Sequence, residues 1–234
     1  DATVVRVNFK DLMIKLHILA EISAIGAASF ARQIASSALV IIVNRLLSFY
    51  GGDMSIAIMG IINRLTMFIL MPIFGIAQGF QPIAGYNYGA KHYHKIKEVM
   101  KLAYIYSTLI ALIGFAIIML IPGILFRMFT SDPNLIIAGA SAIRYTAIFL
   151  YLIGFQVVGS TLFQAIGKPL QAFFLSLSRQ IIIFIPLVMI LPKFFALNGV
   201  WLTPSISDLL AFMITLFFVS RQLKKFNVGE SVIH

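Results

Sequence analysis

The sequence predicts an all-α integral membrane protein: a bundle of six transmembrane helices. Three observations carry that expectation: the composition, the charge-free intervals along the chain, and the uneven placement of lysine and arginine. Of 234 residues, 60% are hydrophobic and 11% charged, and the mean hydropathy is +0.98. A soluble domain carries roughly a quarter of charged residues. So little charge could not cover a globule in water, which excludes soluble enzymes, nucleic-acid modules and disordered chains. The formal net charge of +10 fits basic loops facing an anionic leaflet, so it is no argument for a nucleic-acid partner. Cysteine is absent, which removes disulfides, zinc thiolate sites, thiol catalysis and palmitoylation from consideration. The chain opens at Asp1 with no initiator Met and no leader pattern, and so reads as a piece of a longer protein.

A spanning helix needs about 20 predominantly apolar residues. Leu65 to Ala90, Leu102 to Phe126 and Tyr145 to Gly167 contain no Lys, Arg, Asp or Glu. Three further stretches span if they carry isolated charges: Ile22 to Leu47 with Arg32 and Arg45, Pro169 to Leu191 with Arg179, and Gly199 to Ser220 with Asp208. The predicted helices are 22–48, 53–83, 99–124, 134–163, 169–191 and 199–221. Local chemistry marks the breaks. Gly51-Gly52-Asp53 supplies a turn and a helix N-cap, Ser131-Asp132-Pro133 ends one helix and starts another, and Gly167-Lys168-Pro169 puts proline in a first turn. Pro192-Lys193 and Asn198-Gly199 bracket the last connection. Pro72, Pro82, Pro122, Pro186 and Pro204 read as kinks within or near spans.

Eleven Lys and Arg fall on one side of these spans, three on the other and four inside. The richer side is expected to be cytoplasmic, with both termini on it. Residues 1–21, with Leu12, Leu16 and Leu19 on one helical face, read as an interfacial helix or connector, and 222–234 as a cytoplasmic tail.

A charge at mid-bilayer costs about 2.5–3.5 kcal/mol on insertion scales, so intramembrane ionisable groups are candidate functional groups. Counted at ~1.5 Å per residue, Arg64, Arg144 and Asp208 lie at similar depth, ~14–17 Å below the outer surface. The expectation is that Asp208 pairs with Arg64 or Arg144, and that Arg32 and Arg179 snorkel toward the interface. Gln33, Ser36, Ser37 and Asn44 recur at helical spacing on the first helix. Asn63 and Gln78 on the second, and Gln156 on the fourth, are further polar groups suited to interhelical hydrogen bonds or a wet cavity. The candidate cavity residues are therefore Gln33, Ser36, Asn63, Arg64, Gln78, Arg144, Gln156 and Asp208. His92 and His94 point to opposite faces of a helix, so no metal site is expected. No H-E-x-x-H or G-x-S-x-G occurs, and an enzyme is not expected.

The run Gly75-Ile-Ala-Gln78-Gly79-Phe-Gln81-Pro82-Ile-Ala-Gly85-Tyr86-Asn87-Tyr88-Gly89-Ala-Lys91 strongly resembles the second helix and following loop of the C-terminal half of multidrug and toxic compound extrusion (MATE) transporters. Gly26-Ala-Ala-Ser29-Phe-Ala-Arg32-Gln33, Phe126-Arg-Met-Phe-Thr-Ser131-Asp132 and Gln164-Ala-Ile-Gly167-Lys168-Pro169 extend the likeness over nearly the whole chain. The bacterial multidrug-efflux and DNA-damage-inducible branches look closer than the sodium-coupled NorM branch.

The resemblance implies one six-helix lobe of a twelve-helix transporter in a bacterial cytoplasmic membrane. Its partners would be a small organic substrate, membrane lipid and the other, N-terminal lobe. It implies export of organic, often cationic, compounds in exchange for protons or sodium, with no cofactor beyond the coupling ion. Where some members carry acidic residues on the first and fourth helices of this lobe, this chain has Gln33, Ser36 and Arg144. That departure shifts the expected coupling to the first lobe and leaves Asp208 as the deep acid here. Two other readings remain open: a lipid-linked sugar or phospholipid flippase of the same superfamily, suited by the surplus arginines Arg32, Arg64 and Arg144, and a membrane anchor or assembly subunit that transports nothing.

Overall fold

The structure is a computed structural model that describes residues 16–231. Most of the predicted connector, 1–15, and the side chain of Arg32 lie outside the described residues. Residues 1–41 and 42–234 form separate compact units, and the packing below is that of the second.

Every regular element among the described residues is helical. They are α1 (Leu16–Gly89), α2 (Tyr93–Leu120), the short α3 (Pro122–Arg127), α4 (Pro133–Ala147), α5 (Ile153–Ala165), α6 (Pro169–Leu177) and α7 (Phe184–Ser231). A 3-10 turn, Leu150–Leu152, joins α4 to α5, and a π-helical turn, Ser178–Ile183, joins α6 to α7. Among the described residues three runs are long and apolar enough to cross a membrane, or four if the bent pair α4 and α5 is one span.

Two of those runs are interrupted. Gly52 takes φ 67°, ψ −170° inside α1, a conformation open to glycine, and Ala196 takes φ 47°, ψ −131° inside α7. At Ala196 the chain doubles back. Residues 191 and 199 would lie about 12 Å apart in a straight helix, yet a methyl placed on Gly199 would come 2.5 Å from the Leu191 carbonyl carbon. Glycine at 199 is what lets the two arms approach at the turn. Both breaks fall where the sequence places connections, and they leave six rods among the described residues.

Several boundaries differ from expectation: the first rod is already helical from Leu16, not 22, and the last continues to Ser231, past 221 and through most of the expected tail. The third rod begins at Tyr93, not 99, and ends at Leu120, because Pro122 starts a separate short helix from its own first turn. The second rod continues to Gly89 through Pro82. The fourth, expected as one helix over 134–163, is two helices bent by 42°. At that bend Ser205 Oγ donates to the Tyr145 carbonyl at 2.6 Å, and Phe149, whose amide that carbonyl would otherwise accept from, leaves the helical region at φ −110°, ψ 18°. A side chain inserted into the helical ladder is a recognised cause of such a kink.

Along α2 the buried face is Ile96, Met100, Ala103, Ser107, Ala111, Gly114 and Ile118, small in its middle from Ala103 to Gly114, whereas Leu102, Ile105, Leu109, Leu112 and Ile113 are exposed. Lipid tails are as apolar as leucine, so helices associate through close packing of small residues while large side chains face lipid. A methyl on Gly154 of α5 would lie 2.8 Å from the Ser107 backbone, and one on Gly114 would meet Ile69 of α1 at 2.7 Å. At one end of the bundle Phe80, Met100, Leu162, Leu175 and Phe226 gather into a buried cluster, with Phe226 stacked on Tyr93 at 5.1 Å between ring centroids.

Gly154→Ala should destabilise the protein by about 1–3 kcal/mol, since the clash is with backbone that cannot rotate away. Gly60→Ala, whose added methyl meets nothing within 4 Å, should be neutral or slightly stabilising. Thermal melting in detergent checks both, and equal melting shifts for the two would contradict the packing described.

Candidate functional site

The deepest polar cluster lies where α5, the π-helical turn and the second arm of α7 meet. Asp208, on that arm, is 2% exposed, and Arg179 Nε in the π turn donates to its Oδ1 at 2.5 Å. The pair is 29 residues apart in sequence, about 43 Å along a straight helix, and meets only because the chain reverses at Ala196. Pro186, three residues beyond the π turn, has no amide to offer the Ile182 carbonyl, so the regular α-helical ladder is already broken there.

Gln156 of α5 joins the same level. Its Nε2 donates to the Asp208 backbone carbonyl at 2.8 Å, so three helical segments are tied at residue 208. Gln156 Oε1 is buried with no hydrogen-bond partner among the described residues, as are Ser207 Oγ beside Asp208 and, on α2, Ser107 Oγ and Tyr104 OH. The Tyr104 ring stacks on Phe155 at 4.4 Å between centroids. A second polar contact closes α5 against α6, where Ser160 Oγ and Ser176 Oγ lie 2.8 Å apart. In the connection before α6, Lys168 Nζ donates to Gln222 Oε1 at 2.5 Å. Partial burial, and then the charge of Lys225, hold the Lys168 ammonium below the ordinary lysine range.

This geometry corrects the expected pairing. Asp208 pairs with neither Arg64 nor Arg144 but with Arg179, which therefore does not simply snorkel. Arg64 is exposed on the second arm of α1, and Arg144 is exposed on α4 with Nη2 3.4 Å from the Met119 carbonyl. A signal for the true pair was present. Arg179 lies ten residues into a helix read from one face of the membrane, and Asp208 nine residues into its antiparallel neighbour read from the other. In a ~30 Å core both land near the middle.

Of the eight candidate residues, the structure brings together Gln156 and Asp208 and adds Arg179. Asn63 and Gln78 are exposed on the second arm of α1, on a side where Gly60, Gly75 and Gly79 also meet nothing within 4 Å of an added methyl. Gln33 is exposed and Ser36 half-buried within the 1–41 unit.

An all-helical apolar bundle with a charge pair in mid-span defines an integral membrane protein with a polar interior. The chain belongs to the MatE family, whose model matches residues 28–190. The multidrug export protein MepA of Staphylococcus haemolyticus (strain JCSC1435) is 24% identical over 214 residues, 92% of this chain and 47% of that protein. MepA of Staphylococcus aureus (strain MSSA476) is 28% identical over 200 residues, 86% of this chain and 44% of that protein. The solved structure of the MATE multidrug transporter DinF-BH in complex with R6G superposes with a TM-score of 0.76 at 41% identity, covering 92% of this chain and 48% of the other. These relatives are transporters, not enzymes, and the chain spans about half the length of the curated relatives it matches.

Removing one partner of the pair, as in Arg179→Met or Asp208→Leu, should cost about 3–5 kcal/mol, while the double variant should recover most of that loss. Melting of the purified variants decides it: losses that simply add would show that the two side chains do not act as a pair.

Proposed function

We propose that this chain is the C-terminal half of a cation-coupled antiporter that exports organic, often cationic, compounds by alternating access. The likeness to DinF-BH at 41% identity over 92% of the chain carries the reading, because that transporter is seen in complex with R6G and its chain is about twice as long. The second lobe needed for alternating access would be supplied by the rest of the protein. The second arm of α1 suits that role. It leaves Asn63, Arg64 and Gln78 exposed beside glycines that nothing in this unit covers, as expected of a helix bordering a shared cavity. The surplus of Lys and Arg on one side supports cytoplasmic termini, and the bacterial relatives support a bacterial inner membrane.

A second reading within the same superfamily is movement of a phosphate-bearing lipid. The exposed Arg64 and Arg144 favour it, since guanidinium groups bind phosphate in bidentate fashion.

Cells expressing the full-length protein should expel R6G, and an uncoupler or replacement of sodium should abolish that efflux according to which ion drives it. R6G retention by cells with normal amounts of protein in the membrane would sink the drug-export reading and leave the lipid reading. Arg64→Gln and Arg144→Gln separate the two further. Each should leave efflux of a cation within about threefold, a change of under 1 kcal/mol.

A further inference from the structure

Asp208 and Arg179 form a pair with unequal surroundings. The carboxylate is sealed at 2% exposure, while the Arg179 side chain is 30% exposed and uses Nε for its bond to Asp208. No hydrogen bond from its two Nη groups occurs among the described residues. Unsatisfied N–H donors in hydrocarbon are costly, so ionisable groups within spans face a bundle interior or a water-filled cavity. Arg179 therefore marks the boundary between a wet side and a dry side, with Asp208 behind it. Any ion reaching Asp208 from the exposed side must displace Arg179.

The neighbours of the carboxylate leave little else to hold it charged. From the π turn the facing group is Arg179. From α5 it is the neutral amide of Gln156, whose own oxygen has no partner among the described residues. From α2 the titratable group is Tyr104, whose buried hydroxyl lies beside Gly159, one turn beyond Gln156. From α4 it is Tyr145, whose carbonyl is held by Ser205, one turn before Asp208. With Arg179 withdrawn, a bare carboxylate at this depth would take up a proton before it remained ionised. The π turn supplies the slack for that withdrawal, since such a turn holds one residue more than the α-helical ladder needs.

We infer that Asp208 is a proton-binding site of this lobe, at which a proton and the Arg179 guanidinium compete for the same carboxylate during each transport cycle. The inference rests on the antiport reading and places a coupling group in the lobe where the sequence alone expected none. A proton from water on one side of the membrane bonds to a carboxylate oxygen as the Arg179 N–H···O contact breaks and the guanidinium turns into the wet side. When Arg179 returns, the proton leaves to water on the other side, and no other atom is transferred. Loosening this contact frees the π turn from the second arm of α7, which links proton binding to movement between the last two rods.

The first test uses the full-length wild-type protein in lipid vesicles. Dicyclohexylcarbodiimide, an apolar reagent for protonated carboxyls, is applied across a pH series, and the peptide containing residue 208 is quantified by mass spectrometry. Labelling at Asp208 should fall by about tenfold per pH unit on the alkaline side of its titration. Absence of labelling at 208 throughout overturns the inference. In parallel, R6G exchange is followed against pH for wild type and Asp208→Asn. The variant's rate, whatever its size, should be flat where the wild type varies, and a variant keeping the wild-type pH profile also overturns the inference. Wild type that labels at Asp208 but moves no R6G would reject the drug-export reading while leaving the proton site standing.

Discussion

The interior of a bilayer offers no water to a polar group, and the arrangement of this protein follows from that. A charge placed in mid-span must find its counter-charge within the bundle, and a backbone carbonyl released from a helix must find a donor there. Arg179 and Asp208 meet the first requirement. Ser205 on the Tyr145 carbonyl meets the second where α4 bends, and Gln156 adds a tie across the helices at the Asp208 carbonyl. All three contacts converge on the second arm of α7, which thereby becomes the element that α4, α5 and the π turn are built around.

The same solvent inverts the packing rule of soluble proteins. Large apolar side chains gain nothing by leaving lipid, so α2 turns Leu109 and Ile113 outward and buries Ser107, Ala111 and Gly114. Small residues bring backbones close enough for dispersion and short polar contacts to act. Where glycine fills such a contact, as at Gly154 against Ser107, it is structural. Where it lies open, as at Gly60, Gly75 and Gly79 on the second arm of α1, it leaves room for a surface from outside this unit.

Irregular backbone gathers around the polar cluster. The π turn at Arg179 and the 3-10 turn at Leu150–Leu152 lie on segments that reach Asp208 or border it. Irregular helix in a membrane survives where protein or a wet cavity satisfies it, so its position here coincides with the polar interior.

The sequence by itself determined the solvent, the helical class and several of the turns between helices. Those properties depend on composition, on charge-free runs of spanning length and on turn residues such as Gly52, Pro133 and Pro169, each of which acts through its own backbone. The family, too, was legible in the run from Gly75 to Lys91. Partnership was decided only by the tertiary structure. Arg64, Arg144 and Arg179 all lie deep enough to meet Asp208, and depth is a one-dimensional quantity. The choice fell to Arg179 because the reversal at Ala196 sets its helix directly against that of Asp208, and Arg179 lies in the π turn that meets it. The bend between α4 and α5 was illegible for the same reason: its cause, the hydroxyl of Ser205, comes from 60 residues away.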